Sequence, residues 1–211
     1  MVNIHYFYDP MCGWCYGATS LTEILAKNDN IELVMHPGGM IDNKPLSSEF
    51  KARVLVQDQH IASMTGQSFG HAYKKRISEN SPVVLDSIVT AQAIHVMQKI
   101  NGRGFEMLKA IQHAHYENGI DTTKHEVLTN LATGLNVDAT QWIKEMEQAK
   151  NDIKSVIRET HLLMDKWHIQ GFPTFILVDE NGVRLLPHAE YYSNSVGWEK
   201  LISRLFEAPT R

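Results

Sequence analysis

Cysteine is nearly absent: 211 residues carry two. That excludes the disulfide framework of a small secreted domain. Charge of one sign is also missing. Lys+Arg 20 against Asp+Glu 24 leaves a formal net charge of −4, so there is no electrostatic footprint for nucleic acid. The one dense basic run, Lys74-Lys75-Arg76, is short and reads as a solvated helix end. No apolar run approaches the roughly 18 residues that a membrane-spanning helix needs. The opening MVNIHYFYDP has neither the basic start nor the apolar stretch of a secretion signal. The chain is therefore expected in the cytoplasm, with no membrane and no nucleic acid among its partners. No feature points to a particular oligomeric state.

What is present is an ordinary globular composition, 43% hydrophobic and 21% charged. A chain this long buries roughly 70% of its unfolded surface and needs no staple. Ile4 to Tyr8 is rich in β-branched and aromatic residues and stops at Asp9-Pro10, so it reads as a strand. A helix is expected from Cys12 to Lys27, with Leu21, Ile24 and Leu25 as its apolar stripe, broken at Asn28-Asp29-Asn30. Ile31 to Met35 makes a second strand, closed by Pro37-Gly38-Gly39. That is a βαβ unit with a parallel, right-handed crossover.

From Ser47 to His168 the pattern is helical. Ser81-Pro82 reads as one helix start, leading through Val84, Ile88, Ala91, Ile94 and Met97. Phe105 to Glu117 forms the next, ended by Gly119. Thr123-Lys124-His125-Glu126 fits a capping box, with Gly134 ending that helix. Asp138 opens a stretch reaching Trp167, with a break expected near Asn151-Asp152. Strand character returns at Phe172 to Val178, turns at Asp179-Glu180-Asn181-Gly182, and continues to Leu186. Ser193 or Asn194 caps a last helix ending near Phe206. The fold class is α/β: βαβ and ββα halves of one sheet, residues 1–45 plus 169–211, around a large helical insertion, residues 46–168.

Cys12-Gly13-Trp14-Cys15 carries the chemistry. Cys12 falls where a strand ends and a helix begins, where unpaired N–H groups and the helix dipole favour a thiolate. Spacing i, i+3 brings the two sulfurs within disulfide reach. Gly13 leaves the approach to Cys12 open and Cys15 is shielded one turn in, so one sulfur attacks and the other resolves. Two rival readings are inert core thiols and a zinc site. Zinc needs four ligands. His113 and His115 are i, i+2 on a helix and face apart, His161 and His168 lie two turns apart, and His36 lacks a partner at ligand spacing. No metal is expected. Asn101-Gly102-Arg103-Gly104 follows a helix, not a strand, and is no phosphate cradle. In Gly171-Phe172-Pro173-Thr174-Phe175 the local sequence alone gives a trans bond before Pro173.

Taken together, His5-x-Tyr-x-Tyr-Asp9-Pro10-x-Cys12-Gly13-Trp14-Cys15-Tyr16-Gly17, His36-Pro37-Gly38-Gly39-Met40 and the later Gly-Phe-Pro-Thr-Phe resemble the thioredoxin superfamily. The similarity is to its DsbA-type branch, in a cytoplasmic FrnE-related group of predicted protein disulfide isomerases. It spans the whole chain. It implies a thioredoxin-like fold with a helical insertion and a thiol–disulfide oxidoreductase or isomerase acting on protein or small-molecule thiols and disulfides. Cys12 would be the exposed nucleophile, Cys15 the resolving thiol and Pro173 a cis-proline. Gly13, Trp14, Phe172 and Pro173 would meet the substrate, with the Phe172 backbone pairing an extended segment. No cofactor is implied beyond a Cys12–Cys15 disulfide, with glutathione a candidate electron donor. The sequence departs from the pattern twice. Tyr6 stands where a buried acid is usual, leaving Asp9 as the nearest acid, a turn residue first and a proton acceptor second. Trp14 stands where periplasmic DsbA has a histidine, which predicts a less oxidising couple. Trp14 reads equally as a substrate contact and as a ring packed over the helix start. Two alternatives remain: a glutathione-dependent transferase or isomerase of the kappa type, against which Cys15 argues, and a non-catalytic metal- or partner-binding module.

Overall fold

A computed structural model describes residues 2–206. The first strand, β1 (Val2–Tyr8), leads into two short helices, α1 (Gly13–Gly17) and α2 (Thr19–Ala26), and then into β2 (Ile31–Pro37). After the central segment come β5 (Thr174–Asp179), β6 (Gly182–Leu185) and α9 (Ser195–Arg204). These strands form one sheet in the order β2-β1-β5-β6, with β1 parallel to β2 and antiparallel to β5.

Strand periodicity explains why β1 sits at the centre. Ile4, Tyr6 and Tyr8 turn to one face and join the main core, where Tyr6 stacks on Phe175 at 4.6 Å. His5 and Phe7 turn to the other face and stand edge-on to Trp167. Burial on both faces leaves no polar position in Tyr6-Phe7-Tyr8. Trp198 of α9 locks the first face shut by donating its Nε1–H to the Leu21 carbonyl at 3.1 Å.

The central segment holds a two-residue ladder, β3 (Lys44–Pro45) with β4 (Val84–Leu85), and six helices. They are α3 (Ser48–Thr65), α4 (His71–Ser78), α5 (Ser87–Asn101), α6 (Gly104–Tyr116), α7 (His125–Gly134) and α8 (Ala139–Lys166). The expected segment 169–211 runs past the described residues.

Several boundaries differ from the sequence reading, each for a local reason. The helix expected at Ser81-Pro82 begins at Ser87, because the Asp86 carboxylate accepts from the Ile88 and Val89 N–H groups. Val84 and Leu85 are held extended by β3 instead. The expected capping box at Thr123 does not form: Thr123 donates to the Asp121 carboxylate, and α7 starts at His125 without a side-chain cap. No break occurs near Asn151-Asp152. Trp142, Met146, Ala149, Ile153 and Thr160 bury one continuous stripe of α8, and Asn151 and Asp152 lie on its solvent face. The helix expected over Cys12 to Lys27 is kinked at Ala18, whose ψ of 1° divides α1 from α2. Arg76 is no mere solvated end, since it binds the Ile120 carbonyl at 3.1 Å. Of the two expected caps for α9, Asn194 serves, accepting from the Gly197 N–H.

Candidate active site

The Asp9-Pro10 turn closes when the Cys12 N–H donates to the Asp9 carbonyl at 3.1 Å. This places Cys12 as the N-cap of α1, extended at φ −90°, ψ 117°. Cys15 follows inside the first turn. Both thiols are free. Cys15 is fully buried and Cys12 is only 8% exposed, so the nucleophile expected at the surface is instead recessed.

Their electrostatics diverge. The Cys12 thiol is held below its ordinary range, first by the hydrogen bond from Cys15 and then by the Cys15 and Trp14 N–H groups, against burial and the Asp9 charge. Burial pushes the Cys15 thiol well up, and its bond to Cys12 pushes it further. The Asp9 N–H donates to Cys15 Sγ at 3.4 Å. When the pair gives up one proton, the arrangement favours the negative charge on the outer sulfur and the remaining proton on the inner one.

Cys12 Sγ lies 3.7 Å from the Phe172 carbonyl oxygen and donates to it. The Phe172–Pro173 peptide is cis, against the trans bond that the local sequence gives. The Phe172 ring rests on Gly38, where a Cβ would stand 2.2 Å from its Cζ, so the second family-like segment, Pro37-Gly38-Gly39, supports the proline loop directly.

Gly13 lines a cavity beside Cys12 and also sits tightly under α3. A Cβ there would lie 2.9 Å from Ile61 Cδ1 and 3.1 Å from an Asp58 carboxyl oxygen, so the residue is small to let α1 close on α3. Trp14 is half-buried between Tyr192 and His60, with ring centroids at 5.5 and 5.6 Å, and one edge of it lines the same cavity. This cavity holds about 350 Å³ and opens beside Cys12. Its walls are chiefly apolar, among them Met11, Ile41, Leu46 and Ile77. Its polar groups are Asp58 and His115, with Arg53 and Gln57 at the exposed rim. Burial raises the Asp58 carboxyl to about 6, and Tyr73 donates its hydroxyl to it at 2.7 Å. His115 is 1% exposed, its Nδ1 has no partner among the described residues, and burial lowers it to about 3.

Asp58, Tyr73 and His115 were not legible as site residues. Each sits singly on a helix with no motif around it, and only tertiary packing brings them to Cys12. His36, which has no partner at metal-ligand spacing in the sequence, instead shares a hydrogen bond with His5, its Nε2 2.8 Å from Nδ1 across the strand pair. Among the described residues no three His, Cys, Asp or Glu side chains gather closely enough to hold a metal ion.

A family profile described as the DSBA-like thioredoxin domain matches residues 3–193. The cytosolic disulfide reductase DsbM from Pseudomonas aeruginosa superposes with a TM-score of 0.90 at 28% identity, over 96% of this chain and 98% of that one. The same protein solved with glutathione gives 0.88 at 28%, over the same shares. A candidate protein disulfide isomerase from Nitrosomonas europaea gives 0.77 at 21%, again over 96% and 98%, a likeness of fold. No curated protein sequence matches the chain.

Proposed function

The chain belongs to the DSBA-like thioredoxin domain family and is a thiol–disulfide oxidoreductase, and on that premise we propose that its working couple is Cys12–Cys15 and that glutathione recharges it. The observation that carries this reading is the opposite displacement of the two thiols. A low-pKa sulfur attacks and leaves well, whereas a buried, protonated one waits.

The Cys12 thiolate attacks one sulfur of a substrate disulfide. That S–S bond breaks, a Cys12–substrate disulfide forms, and the departing thiolate takes a proton. Cys15 loses its proton and attacks Cys12 Sγ. The second substrate thiol leaves, and the Cys12–Cys15 disulfide closes, with two electrons passed to the substrate. Two glutathione thiols then restore the dithiol and become oxidised glutathione. The Phe172 carbonyl, now taken by the Cys12 thiol, and the Trp14 edge flank the path by which a disulfide reaches the sulfur. Glutathione as the recharging thiol is supported by the complex of the reductase from Pseudomonas aeruginosa and by a cavity of a size to admit a small thiol. The cytosolic setting of that relative supports a cytosolic place of work here, and no described helix is long and apolar enough to cross a membrane.

The test uses two single variants incubated with oxidised glutathione. Cys15→Ser accumulates a glutathione adduct, visible by intact mass and cleared by reductant. Cys12→Ser forms none and loses all disulfide reduction. Turnover of Cys15→Ser at the wild-type rate would replace this reading with the one-cysteine chemistry of the kappa type. Thiols in the wild type that resist oxidised glutathione would favour a binding module.

A further inference from the structure

The acid nearest the cysteines is not at the surface of its turn. Asp9 is fully buried. One carboxyl oxygen accepts from the Met11 N–H at 2.9 Å and from the Ser87 hydroxyl at 2.7 Å. The other accepts from the Met40 N–H at 2.7 Å. Ser87 in turn accepts from the Ile41 N–H at 3.2 Å, so its own proton is committed to Asp9. A neutral carboxyl group would need an acceptor for its proton, and of these three partners two are N–H groups that can only donate, while the Ser87 hydroxyl already accepts from the Ile41 N–H. The site is built for the carboxylate. The backbone of the same residue donates to Cys15 Sγ, so the charge sits within a side chain's length of the inner sulfur, in a water-poor setting where Coulomb repulsion is strong.

We infer that Asp9 is a positioning residue that holds the Cys12–Cys15 couple on the reducing side by placing a fixed negative charge behind both sulfurs. The inference rests on the dithiol reading above. A dithiol becomes strongly oxidising when its reduced form is stabilised as a thiolate. The Asp9 charge opposes that stabilisation at Cys12 and at Cys15 alike. Burial, the largest influence, leaves the Asp9 carboxyl above its ordinary value, and the Met40, Ser87, Met11 and Gly39 groups limit that rise. The other titratable groups that feel its charge are Tyr8 from β1 and the two thiols from α1, while the 39–41 turn and α5 contribute N–H groups and the Ser87 hydroxyl. The helical insertion thereby reaches Asp9 through the Ser87 hydroxyl.

The experiment equilibrates the protein with glutathione buffers. Two glutathione thiols plus the protein disulfide give the protein dithiol plus oxidised glutathione, and the constant is read from the fraction oxidised. In Asp9→Asn this equilibrium moves toward the dithiol about tenfold, about 30 mV more oxidising. The pH midpoint of Cys12 alkylation falls at the same time. Ser87→Ala removes one donor and moves the constant the same way by a smaller factor, more at pH 6 than at pH 8. An Asp9→Asn protein that is folded by circular dichroism yet within twofold of wild type overturns the inference. If that variant does not fold, an unchanged or opposite shift in Ser87→Ala overturns it. A wild type that never exchanges with glutathione would instead overturn the dithiol reading.

Discussion

The sheet half and the helical insertion meet at the cysteines, and they hold the site by different means. The sheet half uses backbone: the β1–β5 ladder sets the Phe172 carbonyl against Cys12, and the Gly38 N–H donates to the Tyr8 carbonyl at 2.7 Å. The insertion uses side chains and close fit: Ser87 binds Asp9, Asp58 lines the cavity, and Ile61 and Thr65 press on the glycines of α1. A backbone frame tolerates almost any sequence change that keeps the strand. A side-chain seam is sensitive to single atoms, so the two halves should answer to mutation differently.

The largest effect is expected at the seam. A Cβ on Gly17 would lie 2.9 Å from Cγ2 of both Ile61 and Thr65. On an exposed helix, replacing a glycine gains up to about 1 kcal/mol. Here Gly17→Val adds three carbons to a closed interface, and overpacking of this kind costs about 3 kcal/mol. Urea denaturation should show that loss, together with faster alkylation of Cys15 as α3 parts from α1. A Gly17→Val protein as stable as wild type would mean that the insertion does not clamp α1.

The contrast between frame and seam also explains what the sequence disclosed. The β-branched and aromatic run of β1, the Cys-x-x-Cys pair at a strand end and the return strands are local signals, so the sheet half and the closeness of the two sulfurs were readable. The recess of Cys12, at 8% exposure, was not, because its neighbours come from far along the chain, the Phe172 carbonyl among them. For Gly13 a sequence shows that a side chain is missing, not that Ile61 and Asp58 stand where one would go. Asp9 read as a turn former because its partners come from residues 40 and 87. Asp86 outcompeted Ser81-Pro82 as a helix start through a ladder that pairs residues about 40 positions apart.

A smaller effect, on the insertion side, concerns Asp58. Burial raises its carboxyl to about 6 in the folded chain, above the ordinary unfolded value. A raised pKa means that the folded state prefers the proton. That contribution is complete below about pH 4 and is lost as pH rises through about 6. Ionised Asp58 at neutral pH would cost about 3 kcal/mol if dry, and water reaching it through the open cavity screens this to roughly 2 kcal/mol. Asp58→Asn keeps an acceptor for the Tyr73 hydroxyl and removes the charge. It should match wild type near pH 4 and exceed its stability by roughly that amount at pH 7, by urea midpoints. A less stable Asp58→Asn at pH 7 would show that the carboxylate is engaged favourably in the cavity.

On the sheet side the pH dependence runs the other way. His36 stacks on Phe7 with centroids 4.6 Å apart and shares a 2.8 Å hydrogen bond with His5. Burial, and then the His5 charge, lowers His36 to about 4. Such a bond needs one ring to offer a lone pair, so the folded chain prefers the neutral pair. With the folded pKa below the unfolded one, the contribution is complete above about pH 6.5 and is lost as pH falls toward 4. Both rings keep some contact with water, and that screening brings the expected size down to roughly 1 kcal/mol. His36→Gln can still bond to His5 and carries no titration of its own. Between pH 7 and pH 5 the wild type should lose more stability than His36→Gln by that margin, read from paired urea curves. Parallel losses in the two proteins would place the acid sensitivity elsewhere. A steeper loss in His36→Gln would mean that the two rings hold a shared proton more tightly in the folded chain than in the unfolded one, the reverse of what their burial against Phe7 and Trp167 implies.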